Sequence, residues 1–284
     1  MTSPHDDRPV VLAVDDRGVS PAALAWAADR AVQWRVPLQV VHSTVPVRCS
    51  RPDDQHWAHH RAEVFHEVSE LVGRRHSALD VVDDPFEGEL LPALRRESHK
   101  AQLLVLAARP RRLEGIFGAD PVAVPLSARA ACPVAVVPSA VHAVGRPPHL
   151  VVGVCEGPSA DSALDYAFEA AARTGAELHA LWIWEPNFIT SIDEVHAMNT
   201  CRWLLADAVR AKAPRWPGVR VVRDVARGRA GGELLKASRQ ALAVIVGRGN
   251  YCYPDGRLGA IPRSLIGHAQ CPVLTAPALS GHAA

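Results

Sequence analysis

The chain repeats itself. From Val10 to Pro46 it reads VVLAVDDRGVSPAALAWAADRAVQWRVPLQVVHSTVP, and from Val151 to Pro186 it reads VVGVCEGPSADSALDYAFEAAARTGAELHALWIWEP. An offset of 140 residues pairs Asp15 with Cys155, Leu24 with Leu164, Leu38 with Leu178 and Pro46 with Pro186. The same offset pairs Gly88 with Gly228 and Leu94 with Leu234. Near the ends, ACPVAVVP and QCPVLTAP match at 139, as one deletion in the preceding loop requires. Two copies of one unit follow, each of ordinary domain size. We read residues 1–140 as the first domain and 149–279 as the second, joined by the Pro- and Gly-bearing stretch Ser139–Pro148.

Within a unit, apolar runs alternate with helical patterns. Val10–Val14 and Leu103–Ala107 are continuous apolar runs, as expected of strands covered on both faces. Pro21–Trp34 is Ala-rich at helical spacing, and Pro21 suits a first helical turn. Further strands are predicted at Leu38–Val41, Val81–Val82 and Val134–Val137, and further helices at Asp53–Ser77, Glu87–Ser98 and Val122–Ala131. Strands separated by helices dictate an α/β fold with a parallel sheet and right-handed crossovers. Ligands of such folds bind beyond the carboxyl ends of the strands, where strand order reverses.

Composition narrows the function classes. Of 284 residues, 48% are apolar, enough for two cores. Charges nearly cancel to +1, so no global field draws the chain to nucleic acid or to an anionic membrane. The polar start MTSPHDDRPV is not a secretory signal, and no apolar run is long enough to span a bilayer. These features predict a cytoplasmic protein whose six scattered cysteines are thiols.

Three motifs, taken in order and in duplicate, carry a family resemblance. They are AVDDRGVSPAALAWA after the first strand, VIVGRGNYCYPDGRLGA after the fourth strand of the second copy, and CPV before each last strand. Over nearly its whole length the chain resembles tandem universal stress proteins. The resemblance implies doubly wound domains of five parallel strands in the order 3-2-1-4-5, with helices on both faces. It also implies that the last strands, residues 134–137 and 273–275, pair within one chain as a pseudo-dimer, with a homodimer as a further level. Many members of that family bind ATP. An Asp ending the first strand holds the nucleoside, and glycines after the fourth strand bring N–H groups to the phosphates.

On that pattern the candidate nucleotide-binding residues are Asp15, Val41, Arg109 and Gly118 in the first unit. In the second they are Gly247, Arg248, Gly249, Asn250, Gly259 and Ala260. Both copies depart from it. The first keeps Asp15 but carries Ala107 and Pro110 where the phosphate-loop glycines belong, and Pro110 has no N–H to donate. The second keeps Gly247 and Gly259, but Cys155 replaces the Asp, Asn250 the second glycine and Ala260 the Ser/Thr. A hydrogen bond to a charged group contributes about 1.5–3 kcal/mol, so losing two or three weakens binding by about a hundredfold to a million-fold. The sequence therefore predicts two degraded clefts with weak ATP binding or none. A small anionic ligand or a regulatory protein is the alternative partner.

Other clusters support narrower readings. Arg109, Arg111 and Arg112, and in the second unit Arg227, Arg229, Arg248 and Arg257, form either a side-chain anion site or solvated loop charge. His56 and His60 share a helix face, as do His59 and Glu63, in a His-rich helix reaching His66; a metal pair or plain surface histidines both fit. Trp182, matching His42, either stacks on a base or fills the cleft. Cys155 has no histidine near it in sequence to activate it. Three functions follow. One is a non-enzymatic stress-adaptation protein. Another is a slow nucleotide hydrolase with Asp15 or Glu156 as base, although no Walker lysine is present. The last is an interaction module with closed pockets.

Overall fold

The computed structural model describes residues 7–14, 18–43, 54–86, 88–108, 120–140, 144–186, 193–249 and 257–277, with backbone alone for 43 and 54–61. The chain divides into two compact units, Met1–Ala140 and Val141–Ala284.

The first unit contains β1 (Val10–Val14), α1 (Pro21–Trp34), β2 (Leu38–Ser43), α2 (Asp54–Gly73) and β3 (Val81–Phe86). It continues with α3 (Leu90–Glu97), β4 (Leu103–Ala107), α4 (Ala123–Arg129) and β5 (Val134–Val137). Its strands lie in the order β3-β2-β1-β4-β5. They are parallel, with Val10 opposite both Leu38 and Leu103. α1 packs with α2, and α3 with α4, so both faces of the sheet are covered. That is why Val10, Val11, Leu103, Leu104 and Val105 are all fully buried and read as unbroken apolar runs.

The second unit repeats this plan. It contains β6 (His149–Val154), α5 (Pro158–Thr174), β7 (Glu177–Trp184), α6 (Glu194–Lys212) and β8 (Val221–Arg227). Then come α7 (Ala230–Ala237), β9 (Ala243–Gly247), α8 (Ala260–His268) and β10 (Val273–Ala276). The order β8-β7-β6-β9-β10 is the same 3-2-1-4-5 arrangement. Phe168 of α5 and Leu178 of β7 are fully buried, each contributing about 1.5–3 kcal/mol by leaving water.

One polar device recurs in both units. Ser98 is 1% exposed; its hydroxyl donates to Arg95 O (2.6 Å) and accepts from Ala131 N–H (2.9 Å). Ser238 is fully buried, donates to Leu235 O (2.8 Å) and accepts from Gln270 N–H (3.2 Å). Each serine pins the turn before the last strand of its unit to the end of α3 or α7. The partners of Ser98 and Ser238 differ by the shortened offset, so the deletion between the copies lies between them and the CPV turn.

β2 runs two residues past Val41 to Ser43, α4 is trimmed to Ala123–Arg129, and three boundaries differ from the sequence expectation by more than two residues. β3 runs on to Phe86 rather than stopping at Val82. It is an outer strand of its unit, where Pro85 is tolerated, and β2 supplies partners for its acids. Gln39 Nε2 donates to Asp84 (2.6 Å), and His42 Nε2 lies 2.9 Å from Asp83 Oδ1. α2 ends at Gly73 rather than Ser77, because Leu79 N–H turns back to His76 O (3.1 Å). α3 starts at Leu90 rather than Glu87, because Gly88 has φ +109 and interrupts the chain before the helix.

Candidate functional site

The carboxyl end of the second unit is built around three glycines. β9 ends at Gly247, where an added Cβ would run into the carbonyl and hydroxyl of Ser159 in the first turn of α5. Gly249 has φ +121, a conformation that excludes most side chains. Its Cα region touches Gly259, 3.2 Å from a Cβ placed on either residue. The loop amides are already used, one by α5 and one within the loop. Gly249 N–H donates to Ser159 Oγ at 3.2 Å, and Gly259 N–H to Arg248 O at 2.8 Å. α8 then begins at Ala260 with no side-chain cap, and Arg263 Nη2 reaches back to Leu258 O (2.8 Å).

α5 approaches this loop because it starts early. α1 and α5 end at matching positions, Trp34 and Thr174, yet α1 has 14 residues and α5 has 17. The extra turn opens on Gly157, whose φ of +112 redirects the chain, and on Pro158, which has no N–H to leave unsatisfied. Ser159 falls in that turn, facing Gly247 and Gly249.

The first unit closes its equivalent end differently. Ala108 N–H, just after β4, donates to Val137 O at 2.7 Å. At the start of α4, Asp120 Oδ1 accepts from both Val122 N–H (2.9 Å) and Ala123 N–H (2.8 Å). A carboxylate of the chain itself thus sits on the amides and partial positive charge of that helix start. Pro125 lies in the first turn of α4, where a missing N–H costs nothing. Sequence reading missed both Ser159 and Asp120. Asp120 was readable as an acid just before a helix, and Pro158 as a helix start three positions ahead of Pro21.

The other predicted residues are placed as follows. Val41 is 1% exposed within β2, between Ala13 and Asp84, so its side chain belongs to the core. Gly247, Arg248, Gly249, Gly259 and Ala260 come together in the second unit, with Arg248 half-buried. Asp15, Arg109, Gly118 and Asn250 lie outside the described residues, as do Arg111 and Arg112. Arg227 does not join the loop; its Nε pairs with Glu194 at 3.1 Å. The α7 start nearby is also held by an acid, through Ala230 N–H to Glu185 Oε1 (2.6 Å).

Trp182 hydrogen-bonds the Cys201 thiol of α6. Burial raises the pKa of that thiol, the Trp182 hydrogen bond opposes this, and the nearby Glu156 carboxylate raises it further. Cys201 is therefore held as a neutral thiol beside Trp182. The matching first-unit residue, His42, is 3% exposed and bonded to Asp83 instead. Cys155 is exposed, whereas burial pushes Cys271 up to about 12. The side chains of His56, His59 and His60 lie outside the described residues, and exposed His66 sits 3.9 Å from Glu70. No cluster of three metal-ligating side chains occurs among the described residues, and no helix there is long and apolar enough to cross a membrane.

Comparison with known proteins agrees with the fold and the repeat. The Universal stress protein family profile matches residues 8–138 and again 148–277. The chain is 28% identical over 295 residues to the universal stress protein Rv2005c of Mycobacterium tuberculosis, covering 97% of this chain and 99% of that one. It is 26% identical over 309 residues to Rv1996 of the same organism, with 97% of each chain covered. Among solved structures, a universal stress protein from Archaeoglobus fulgidus superposes with a TM-score of 0.65 over 94% of this chain and 96% of that one, at 14% identity. Two matches to one profile, at the two places where the same sheet is built, show that this chain is a tandem-domain member of the universal stress protein family.

Proposed function

We propose that this universal stress protein is a non-enzymatic adaptation factor whose two clefts have given up tight ATP binding. It acts by engaging a small anionic ligand or a regulatory protein. The observation that carries this reading is the use of the loop amides. In the second unit, Ser159 Oγ and Arg248 O already accept the Gly249 and Gly259 N–H groups. A phosphate there would have to displace an internal hydrogen bond for each one it formed, leaving little net gain. In the first unit, the Asp120 carboxylate holds the helix-start amides that an incoming anion would use.

Calorimetry with ATP, ADP, AMP and cyclic nucleotides tests this reading. The expected ATP affinity is about millimolar or weaker. A micromolar constant would overturn the degraded-cleft reading while leaving the family assignment intact.

A second reading, ATP binding with slow hydrolysis, has one observation in its favour. The start of α8 carries no side-chain cap, so its first turn offers its partial positive charge to an anion. Turnover of ATP above that of an Asp15→Ala variant would select it.

A further inference from the structure

At the amino-terminal ends of β7 and β8, away from the glycine loop, lies a cleft of about 410 Å³. That volume is within the range of small-molecule sites. Its walls are Ala171, Ala172 and Ala176 of α5 and the turn after it, with Val219 and the half-buried indole of Trp216. Its rim carries Arg215, Arg220 and Glu177.

The rim charges are unequal. Glu177 is held by Arg220 Nη1 at 3.1 Å and lies 3.4 Å from His179 Nε2, so its carboxylate is answered. Arg215 is exposed, and its guanidinium has no ion-pair or hydrogen-bond partner among the described residues. Two arginines against one glutamate leave the rim with a single net positive charge.

The first unit shows what this region looks like when bridged. Arg75 and His76 occupy the positions of Arg215 and Trp216, in the same turn: Leu79 N–H to His76 O (3.1 Å) repeats as Val219 N–H to Trp216 O (3.0 Å). There Asp29 of α1 holds both, Arg75 at 3.0 Å and His76 at 2.7 Å. In the second unit the residue matching Asp29 is Glu169, and it pairs with Arg173 of its own helix at 2.8 Å. The bridge is gone, an indole replaces the imidazole, and the arginine is left facing solvent beside an apolar hollow.

We infer that this cleft is a second ligand site, which takes a small flat aromatic monoanion. The ring lies against Trp216 and the alanine wall, and a carboxylate is held by Arg215 in paired N–H···O bonds. The site is independent of the glycine loop and of whether that loop binds nucleotide.

Calorimetric titration of the intact chain with 2-naphthoate, and with the isosteric neutral 2-naphthamide, tests the inference without any variant. Naphthoate is expected to bind at least about tenfold more tightly than the amide, the size of one charge-assisted contact. In Arg215→Gln, naphthoate should weaken by about tenfold while the amide is unchanged, and Trp216→Ala should weaken both. Unchanged circular dichroism and melting temperature confirm that each variant is folded. Equal affinity for the two compounds on the native chain, no saturable heat up to about 1 mM, or naphthoate binding unaffected by Arg215→Gln would each overturn the inference.

Discussion

Helices α1 and α5 follow the first strand of their units, end at matching residues, and begin three positions apart. In α1 the turn is capped by Ser20, whose hydroxyl accepts from Ala23 N–H at 3.5 Å. In α5 the extra turn carries Ser159 across to Gly247 and Gly249. One family motif thus meets one strand end in two ways, and the difference comes from a Gly-Pro pair that starts a helix early. In the second unit the space beside Gly247 is taken by the carbonyl and hydroxyl of Ser159.

The sharpest way to break this comparison is Gly247→Ala. Its Cβ has no space against Ser159, so we expect a loss of about 3 kcal/mol in denaturant unfolding. The first unit already has alanine at the matching Ala107. A cost below about 0.5 kcal/mol would mean that α5 does not bear on the loop. His42→Ala probes the first unit's own solution at the neighbouring strand end. Losing a buried ring and its bond to Asp83 should cost about 2 kcal/mol, measured the same way.

Asp120→Ala removes the acceptor of two helix-start amides and should cost about 1 kcal/mol. An unchanged melting temperature would argue that the carboxylate does not hold α4. Arg35→Gly is expected to stabilise by about 0.5–1 kcal/mol. Arg35 sits at φ +58 where the second unit uses Gly175 at φ +64, and only the arginine carries a Cβ there. Any destabilisation would show that the arginine side chain matters more than its backbone.

The smallest effect at neutral pH belongs to Cys271. Its folded thiol holds its proton up to about 12, against an ordinary value of 9.0. Stability is therefore untouched below pH 9 and falls as pH rises from there toward 12. Cys271→Ala should flatten that alkaline arm; an identical pH profile would refute the burial argument.

The architecture was legible because apolar runs and Ala-rich helices are local signals, and because each occurs twice. β1, α1, β4 and β5 have the limits that their composition dictates. β3 reads as no more than Val81–Val82, because the apolar run ends there and Asp83, Asp84 and Pro85 follow. Their partners Gln39 and His42 sit on another strand, more than forty residues away in the chain. The site was legible only as a set of positions. That Gly247, Gly249 and Gly259 converge could be read from their spacing. That Ser159 answers the Gly249 amide could not, because the bond spans 90 residues. Likewise the pairing of Trp182 with Cys201 depends on how α6 lies over β7, which no local pattern encodes.

The serine pins offer a use beyond holding the last strands. The amides of Ala131 and Gln270 are each bonded to an almost fully buried hydroxyl, one in each unit. Their hydrogens exchange with solvent when the bond to the serine and the turn around it open. They are a matched pair of built-in clocks, and their relative rates would tell whether the two halves of this chain breathe in step or each on its own schedule.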